Sequence, residues 1–285
     1  MPDQQTRERI AFQGVPGAYS QLACVQAYPA LEPLPCESFE AAFKAVESGD
    51  ASLGMIPIEN SLGGRVADIH HLLPESSLYI VAEHFQPVNH YLLGAPGASL
   101  DTIRTVTSHP QGLAQCRGII RELKLQPVVG SDTAGSAREV AERGDPTVAA
   151  IASQLAGEIY GLQVLRARVE DRIGNTTRFV VMSRRREEPD WRDGPCMTSI
   201  IFQVRSVPGA LYKALGGFAT NGVNITKLES YITDASFRVA QFYAELEGHP
   251  AERHVAQAFE ELQFFCTTLR VLGTFPQHAF RQRHH

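Results

Sequence analysis

The sequence predicts an α/β protein followed by a separate, smaller βαββαβ unit. Three observations carry that expectation. Short apolar runs alternate with stretches of helical periodicity from residue 10 to about residue 182. A charged, turn-rich segment then breaks the pattern, Arg184-Arg185-Arg186-Glu187-Glu188-Pro189-Asp190 followed by Gly194-Pro195, and it reads as a solvated linker. Beyond it, residues 199–272 run strand, helix, strand, strand, helix, strand, the ferredoxin-like order.

The elements follow in order. Ile10-Ala11-Phe12 is a strand that reaches the turn Gly14-Val15-Pro16-Gly17, and residues 18–27 are helical. Residues 39–46 carry apolar side chains at helical spacing and stop at Gly49. Residues 51–58 read as a strand, 66–73 as a helix, and 79–82 and 88–93 as strands. A strand over 103–107 feeds one helix over 110–123, with Leu113, Cys116, Ile119, Ile120 and Leu123 on one face. Val128-Val129, a helix over 134–142, a strand over 148–151 and a helix over 153–160 continue the alternation, and Phe179-Val180-Val181-Met182 is a buried strand. Such repetition implies α/β layers with largely parallel sheets. In the C-terminal unit the strands are expected over 199–204, 224–233, 237–246 and 268–272, and the helices over 209–218 and 255–262. A unit this small has little core of its own, so its sheet edge is expected to pair with a second copy.

Composition narrows the function classes. At 285 residues the chain should form two or three compact units, with an apolar fraction of 44% and a charged fraction of 20%, those of an ordinary globular protein. A net charge of −5 gives no electrostatic footprint for nucleic acid. No apolar run reaches membrane-spanning length, and the polar, mixed-charge residues 1–9 do not read as a signal peptide. Cys24, Cys36, Cys116, Cys196 and Cys266 are odd in number and far apart, and they read as reduced thiols of a cytoplasmic protein. His70-His71 is the only histidine cluster before the terminal pair His284-His285, which is set aside; neighbours on a helix diverge, so no metal site is expected there. Dinucleotide-binding, P-loop, serine-elbow and zinc-protease signatures are all missing from the sequence.

Four polar segments suggest a binding site instead. In Asn175-Thr176-Thr177-Arg178-Phe179 a hydroxyl and a guanidinium sit at the mouth of a buried strand, and the guanidinium fork suits a carboxylate. Pro57-Ile58-Glu59-Asn60-Ser61 ends a strand in a carboxylate, an amide and a hydroxyl, and Gly63-Gly64 then permits close backbone approach. In Ser108-His109-Pro110-Gln111, Ser108 or His109 is the expected N-cap, and Gln111 and Gln115 share a helix face. Ser131-Asp132-Thr133 repeats the pattern of a strand running into a helix cap. The last three segments are each expected where a strand gives way to a helix, and helix N-termini hold carboxylates well. Together they predict a shared pocket for a small anion.

These same residues resemble prephenate dehydratase. The matching motifs are Gly14-Val15-Pro16-Gly17-Ala18-Tyr19-Ser20, Pro57-Ile58-Glu59-Asn60-Ser61, Ser108-His109-Pro110-Gln111 with Gln115-Cys116, Asp132-Thr133-Ala134, and Asn175-Thr176-Thr177-Arg178-Phe179, in the family's order. The resemblance implies a two-lobed, periplasmic-binding-protein-like catalytic domain over 8–185, with one lobe at about 8–85 plus 171–185 and the other at about 86–170. It further implies a linker at 186–196 and an ACT regulatory domain at 197–276. No chorismate mutase segment precedes residue 10, as in the monofunctional form. The implied reaction is the decarboxylating dehydration of prephenate to phenylpyruvate, in phenylalanine biosynthesis, with no cofactor and no metal. It assigns Thr177 to the leaving hydroxyl, Glu59 and His109 as sources of the proton, and Arg178 to a carboxylate. Asn60, Ser61, Ser108, Gln111, Gln115 and Thr133 would hold the remaining oxygens, and Phe179 would wall the ring.

The C-terminal unit resembles an ACT domain through Pro208-Gly209-Ala210-Leu211 and Asn224-Ile225-Thr226-Lys227-Leu228-Glu229-Ser230. That implies L-phenylalanine as effector, held around Gly209, Ala210, Leu211, Asn224, Glu229 and Ser230, and a homodimer or homotetramer. The family's usual Arg-Pro is replaced by Tyr231-Ile232, which takes a cation from one rim of the effector pocket. Arogenate dehydratase is the enzymatic alternative. A non-catalytic amino-acid sensor is the alternative of another class.

Overall fold

The computed structural model describes residues 8–205, 207–232 and 240–282. The terminal histidine pair lies outside the described residues, as do the ends of the two expected strands that run into residues 233–239.

In chain order the elements begin β1 (Arg9–Gln13), α1 (Tyr19–Ala27), β2 (Glu32–Cys36), α2 (Phe39–Ser48), β3 (Leu53–Asn60), β4 (Gly64–Arg65), α3 (Ile69–Glu75) and β5 (Tyr79–Pro87). They continue with β6 (Tyr91–Gly94), β7 (Thr105–Ser108), α4 (Pro110–Gln115), α5 (Arg117–Glu122), β8 (Gln126–Val129), α6 (Thr133–Arg143), β9 (Val148–Ala152), α7 (Gln154–Tyr160), β10 (Gln163–Arg166) and β11 (Thr176–Ser183). The remainder is β12 (Cys196–Val204), α8 (Ala210–Thr220), β13 (Ile225–Ile232), β14 (Ala240–Glu247), α9 (Arg253–Phe265), β15 (Cys266–Pro276) and α10 (Ala279–Gln282).

These strands form three sheets. The first has the order β2-β1-β3-β11-β5, with β4 turned back on β3, and the second the order β10-β6-β9-β7-β8. The chain therefore leaves the first sheet after β5, builds the second, and returns at β11, the plan of a two-lobed α/β domain. The third sheet, β13-β14-β12-β15, is antiparallel and carries α8 and α9, as the βαββαβ rhythm predicts. Its core is Ile200, Phe202, Phe218, Phe242, Leu246 and Leu262 with their neighbours. By contacts the chain divides into two compact units, residues 1–66 with 84–179, and residues 67–83 with 180–285. The cut passes through β5 and β11 and not through the charged linker.

Several elements differ from the sequence reading. The single helix expected over 110–123 is two, because Asp171 accepts the amide hydrogens of Arg117 and Gly118 at 2.9 and 2.8 Å and starts a new helix there. The strand Glu32–Cys36 was not foreseen, since Pro33 and Pro35 disfavour a strand; it is tolerated at the edge of its sheet, paired only with β1. The strand expected to begin at Val88 begins at Tyr91, and β5 runs on to Pro87. The short β4, β10 and α10 carry too little pattern to be legible. In the second unit, α10 is held by Arg281, whose guanidinium grips both oxygens of the buried Glu83 at 2.7 and 2.9 Å.

Gly17, in the turn before α1, fixes how the first sheet meets the second. It has φ +90°, and a β-carbon there would stand 2.8 Å from Ala156 Cα in α7. Ser153, the cap of α7, donates to the Gly17 carbonyl at 2.6 Å across this contact. Gly17→Ala combines backbone strain with overpacking, and a loss of about 2–5 kcal/mol is expected. Urea unfolding measures it; a change below about 0.5 kcal/mol would mean that the two elements slide apart freely.

Candidate active site

Strand β11 enters the first sheet beside β3, and the polar residues at the end of each strand meet there. Asn60, the last residue of β3, is the hub. Its side-chain oxygen accepts the amide hydrogens of Leu62 and Gly63 at 3.0 and 2.7 Å, which fixes the amide orientation. Its Nδ2 donates to Thr177 Oγ1 at 3.0 Å and to Asn175 Oδ1 at 2.8 Å. Ser61 pins the same segment, accepting from the Thr176 amide at 3.0 Å and donating to the Gly174 carbonyl at 3.4 Å. The expectation that Glu59-Asn60-Ser61 leads into a helix is corrected: the strand turns tightly into β4. At Gly63 a β-carbon would meet the end of the Gln111 side chain, which places that amide beside the turn.

From Asn60 the hydrogen bonds run inward. Asn175 Nδ2 donates to Gln115 Oε1 at 3.1 Å, and the same oxygen lies 2.8 Å from His90 Nε2. An oxygen acceptor on that side assigns the hydrogen to Nε2 and leaves Nδ1 as an acceptor, 2.9 Å from the Tyr19 hydroxyl. The Tyr19 hydroxyl also lies 2.7 Å from the Asn89 carbonyl, so its one hydrogen is shared between that oxygen and His90 Nδ1. Burial, then Cys116 and Glu170, push the Tyr19 pKa up, so it stays a phenol. His90 is only 2% exposed. Its pKa is lowered chiefly by burial, against the opposing effects of the Gln115 hydrogen bond and Glu170.

The expected residues do not all share one face. Thr177 and Arg178 are neighbours on a strand, so they point to opposite sides. Thr177 meets Asn60, whereas Arg178 is buried and reaches Glu59 Oε1 at 3.0 Å, with its guanidinium over the Phe85 ring. The reading of Thr177 and Arg178 as adjoining walls of one pocket is therefore corrected: strand alternation separates them, and Glu59 goes with Arg178. Phe179 is 1% exposed and belongs to the core.

The second sheet contributes the ends of β7 and the starts of α4 and α6. Ser108 is fully buried and donates to the Ile151 carbonyl at 2.6 Å. His109 is the N-cap of α4; its Nδ1 accepts the Gln111 amide hydrogen at 3.2 Å. Gly112 sits against Ser108, and a β-carbon there would stand 2.7 Å from Ser108 Oγ and 3.6 Å from Thr133 Cγ2. Thr133 opens α6, which Asp132 caps through the Gly135 amide. Beside Gln115 and Asn175 lies a cavity of about 440 Å3, lined also by Leu62, Ala114, Arg117, Arg121, Glu170, Asp171 and Arg172. Sequence reasoning passed over Tyr19, His90 and Asn175 as site members and the arginines altogether. Asn175 sits inside the strongest motif and was open to discovery; His90 and the arginines carry no local signal. No cluster of three or more metal-ligating side chains occurs among the described residues.

In the C-terminal unit, register decides which expected effector residues meet. Glu229 and Ser230 stand opposite Tyr243 and Phe242, which in turn face Ile201 and Phe202 at the end of β12 that leads to Gly209, Ala210 and Leu211. Asn224 is at the other end of β13, about 20 Å away at a strand's rise, and donates to Glu247 at 3.1 Å. Within one chain it therefore stands apart from the others. Tyr231, at the position of the family's arginine, sets its ring edge-on to His71, with centroids 6.3 Å apart.

The family model described as prephenate dehydratase matches residues 10–187, and that described as ACT domain matches residues 198–264. The chain belongs to the prephenate dehydratase family. It is a carbon–oxygen lyase of that family with a C-terminal ACT domain. It is 52% identical, over 96% of its length and 98% of the relative's, to a bifunctional N-acyl-homoserine lactone acylase/prephenate dehydratase of Komagataeibacter europaeus. It is 40% identical to arogenate dehydratase/prephenate dehydratase 1 of Arabidopsis thaliana, over 97% of this chain and 74% of that one. The solved prephenate dehydratase of Arthrobacter aurescens in complex with L-Phe superposes with a TM-score of 0.86 at 31% identity, covering 94% of this chain and 90% of that one.

The His90 shift has a consequence for stability. In the unfolded chain an imidazole takes up its proton near pH 6.5, and in the folded protein only at lower pH. The contribution of neutral His90 is complete above pH ~6.5 and is lost as pH falls toward the folded pKa. The urea midpoint should therefore drop between pH 7.5 and 5.5, and drop less in His90→Gln. Equal slopes for the two proteins would show that the folded ring takes up its proton as readily as the unfolded one.

Proposed function

We propose that the chain catalyses the decarboxylating dehydration of prephenate to phenylpyruvate, on the route to L-phenylalanine, and that phenylalanine regulates it through the ACT domain. One observation carries the catalytic reading. Thr177 Oγ1 accepts a hydrogen bond from Asn60, and among the described residues no acceptor takes the threonine's own hydrogen. A hydroxyl held in this way presents its hydrogen to a ligand.

The chemistry asks for little more. The bond between the ring and its carboxylate breaks, its electron pair moves through the cyclohexadiene, and the carbon–oxygen bond across the ring breaks. One proton joins the departing hydroxide, giving carbon dioxide, water and the aromatic ring. Aromatisation supplies the driving force, so the protein orients the dianion and eases departure of the hydroxyl. A threonine is a weak acid, so Thr177 donates a strong hydrogen bond or relays a proton to the leaving oxygen. Asn60, Gln115 and Asn175 hold it in place, with Tyr19 and His90 behind them. His109, Gln111 and Thr133, at the helix starts of the second sheet, are the further candidates for substrate contact. Ser61, Ser108, Phe179 and the Glu59–Arg178 pair act through position, holding β3, β7 and β11.

The catalytic domain is placed at 8–185, the linker at 186–196 and the ACT domain at 197–276. Support for phenylalanine is the L-Phe complex of the Arthrobacter aurescens relative, together with the shared end of the sheet at Gly209, Ala210, Leu211, Glu229 and Ser230. The exposed edge strand β13 suits pairing with a second copy, as a homo-oligomer requires. All five cysteines are free, and burial raises their pKa, to about 12 for Cys24 and about 11 for Cys266, as fits inert thiols in the cytoplasm.

Prephenate turnover at pH 7.5, followed by phenylpyruvate absorbance, tests the reaction. Thr177→Ala should lose a hundredfold or more in kcat, about 2.7 kcal/mol of barrier, and Thr177→Ser should keep much of the rate. Arogenate and an N-acyl-homoserine lactone are assayed in parallel, because relatives carry those activities in their names. Turnover undiminished in Thr177→Ala would remove Thr177 from the mechanism, and turnover of arogenate alone would reassign the substrate. Phenylalanine should bind with measurable heat at millimolar concentration and slow turnover; no heat would leave the ACT domain as an assembly module.

A further inference from the structure

The substrate has two carboxylates, and the guanidinium that the sequence offers for them, Arg178, is buried against Glu59 on the other face of β11. A dianion needs a cation elsewhere. We propose that Arg117, Arg121 and Arg172 hold the carboxylate of the substrate's side chain, the one that is kept in the product; this rests on the reaction proposed above.

The three arginines line the 440 Å3 cavity whose other wall is Gln115 and Asn175, the pair linked through Asn60 to Thr177. Arg117 and Arg121 come from α5 and are four residues apart, on one helix face; Arg172 comes from the segment before β11. Arg121 Nε donates to the Arg117 carbonyl at 3.2 Å, which leaves the rest of its fork to the cavity. None of the three forms an ion pair among the described residues.

Two acidic residues share the cavity, and both have other duties. Asp171 uses one oxygen on the Arg117 amide and the other on the Gly118 amide. Glu170 Oε2 accepts the His90 amide at 2.9 Å. The balance is one positive charge in excess, three guanidiniums against two carboxylates. That excess favours a keto acid with two negative charges over the corresponding amino acid, whose ammonium would face the guanidiniums.

The assignment of carboxylates follows from the chemistry. The ring carboxylate must leave as neutral carbon dioxide, so a cation clamped on it would stabilise the ground state more than the transition state. The side-chain carboxylate keeps its charge throughout. Binding it lowers KM with little effect on the chemical step.

Arg117→Gln, Arg172→Gln and the double variant test this in the full-length protein. KM for prephenate should rise about tenfold in each single variant and more in the double, outweighing any fall in kcat. Added salt should raise KM in the wild type more than in the double variant, and the preference for prephenate over arogenate should shrink. Phenylpyruvate, which retains the side-chain carboxylate, should bind at least tenfold more weakly to the double variant by calorimetry. Normal turnover with KM and phenylpyruvate affinity both unchanged would overturn the clamp and leave the reaction standing. A wild type without prephenate turnover, whose phenylpyruvate binding still depends on the arginines, would overturn the reaction and leave the clamp standing.

Discussion

The site depends on one side chain held from two directions. Asn60 has its oxygen tied to two backbone amides of its own turn and its nitrogen shared between Asn175 and Thr177. A primary amide in this setting has no rotational freedom, since a flip would oppose donor to donor. The threonine thus meets a donor, and its own hydrogen points elsewhere. The same amide joins β3 to the entry of β11, so the arrangement that orients Thr177 also closes the sheet at that point.

Behind Asn60 the chain of hydrogen bonds continues through Asn175, Gln115 and His90 to Tyr19. Every member is neutral: amides, a phenol kept protonated by burial, and an imidazole kept unprotonated by burial. A neutral network can be buried with its partners satisfied, where a charged one would carry a large desolvation cost. The charges lie instead at the rim of the adjoining cavity, on Arg117, Arg121 and Arg172. This division suits a reaction in which an anion must be attracted and held while one of its carboxylates becomes neutral gas.

The ACT domain is built on the third sheet, whose strand order leaves β13 at an edge. The register of β13 against β14 puts Glu229 and Ser230 at the end of the sheet where α8 begins, and Asn224 at the far end. The replacement of the family's arginine by Tyr231 does not leave a gap. The aromatic ring packs edge-on against His71 from the segment that precedes β5.

Much was legible in the amino-acid order. Hydrophobic periodicity, caps and turn residues are local properties, and they predicted the alternating α/β region and the βαββαβ rhythm that follows it. Motifs marked Asn60 and Thr177 because polar side chains at the end of a buried strand have few other uses, and Gln115 because it shares a helix face with Gln111. Tertiary structure decided the rest, for physical reasons that sequence proximity cannot express. Asp171 splits a helix fifty residues away, because the helix start it satisfies is a neighbour in space only. Strand alternation sends Arg178 away from Thr177, its neighbour in the chain. The separation between strands brings Gln115 to Asn175 and His90, and brings Arg172 to Arg117 and Arg121. The sequence by itself determined which elements form and which residue types stand at their ends. Which of those ends share a cavity, and with what net charge, was settled by the order and register of strands far apart in the chain.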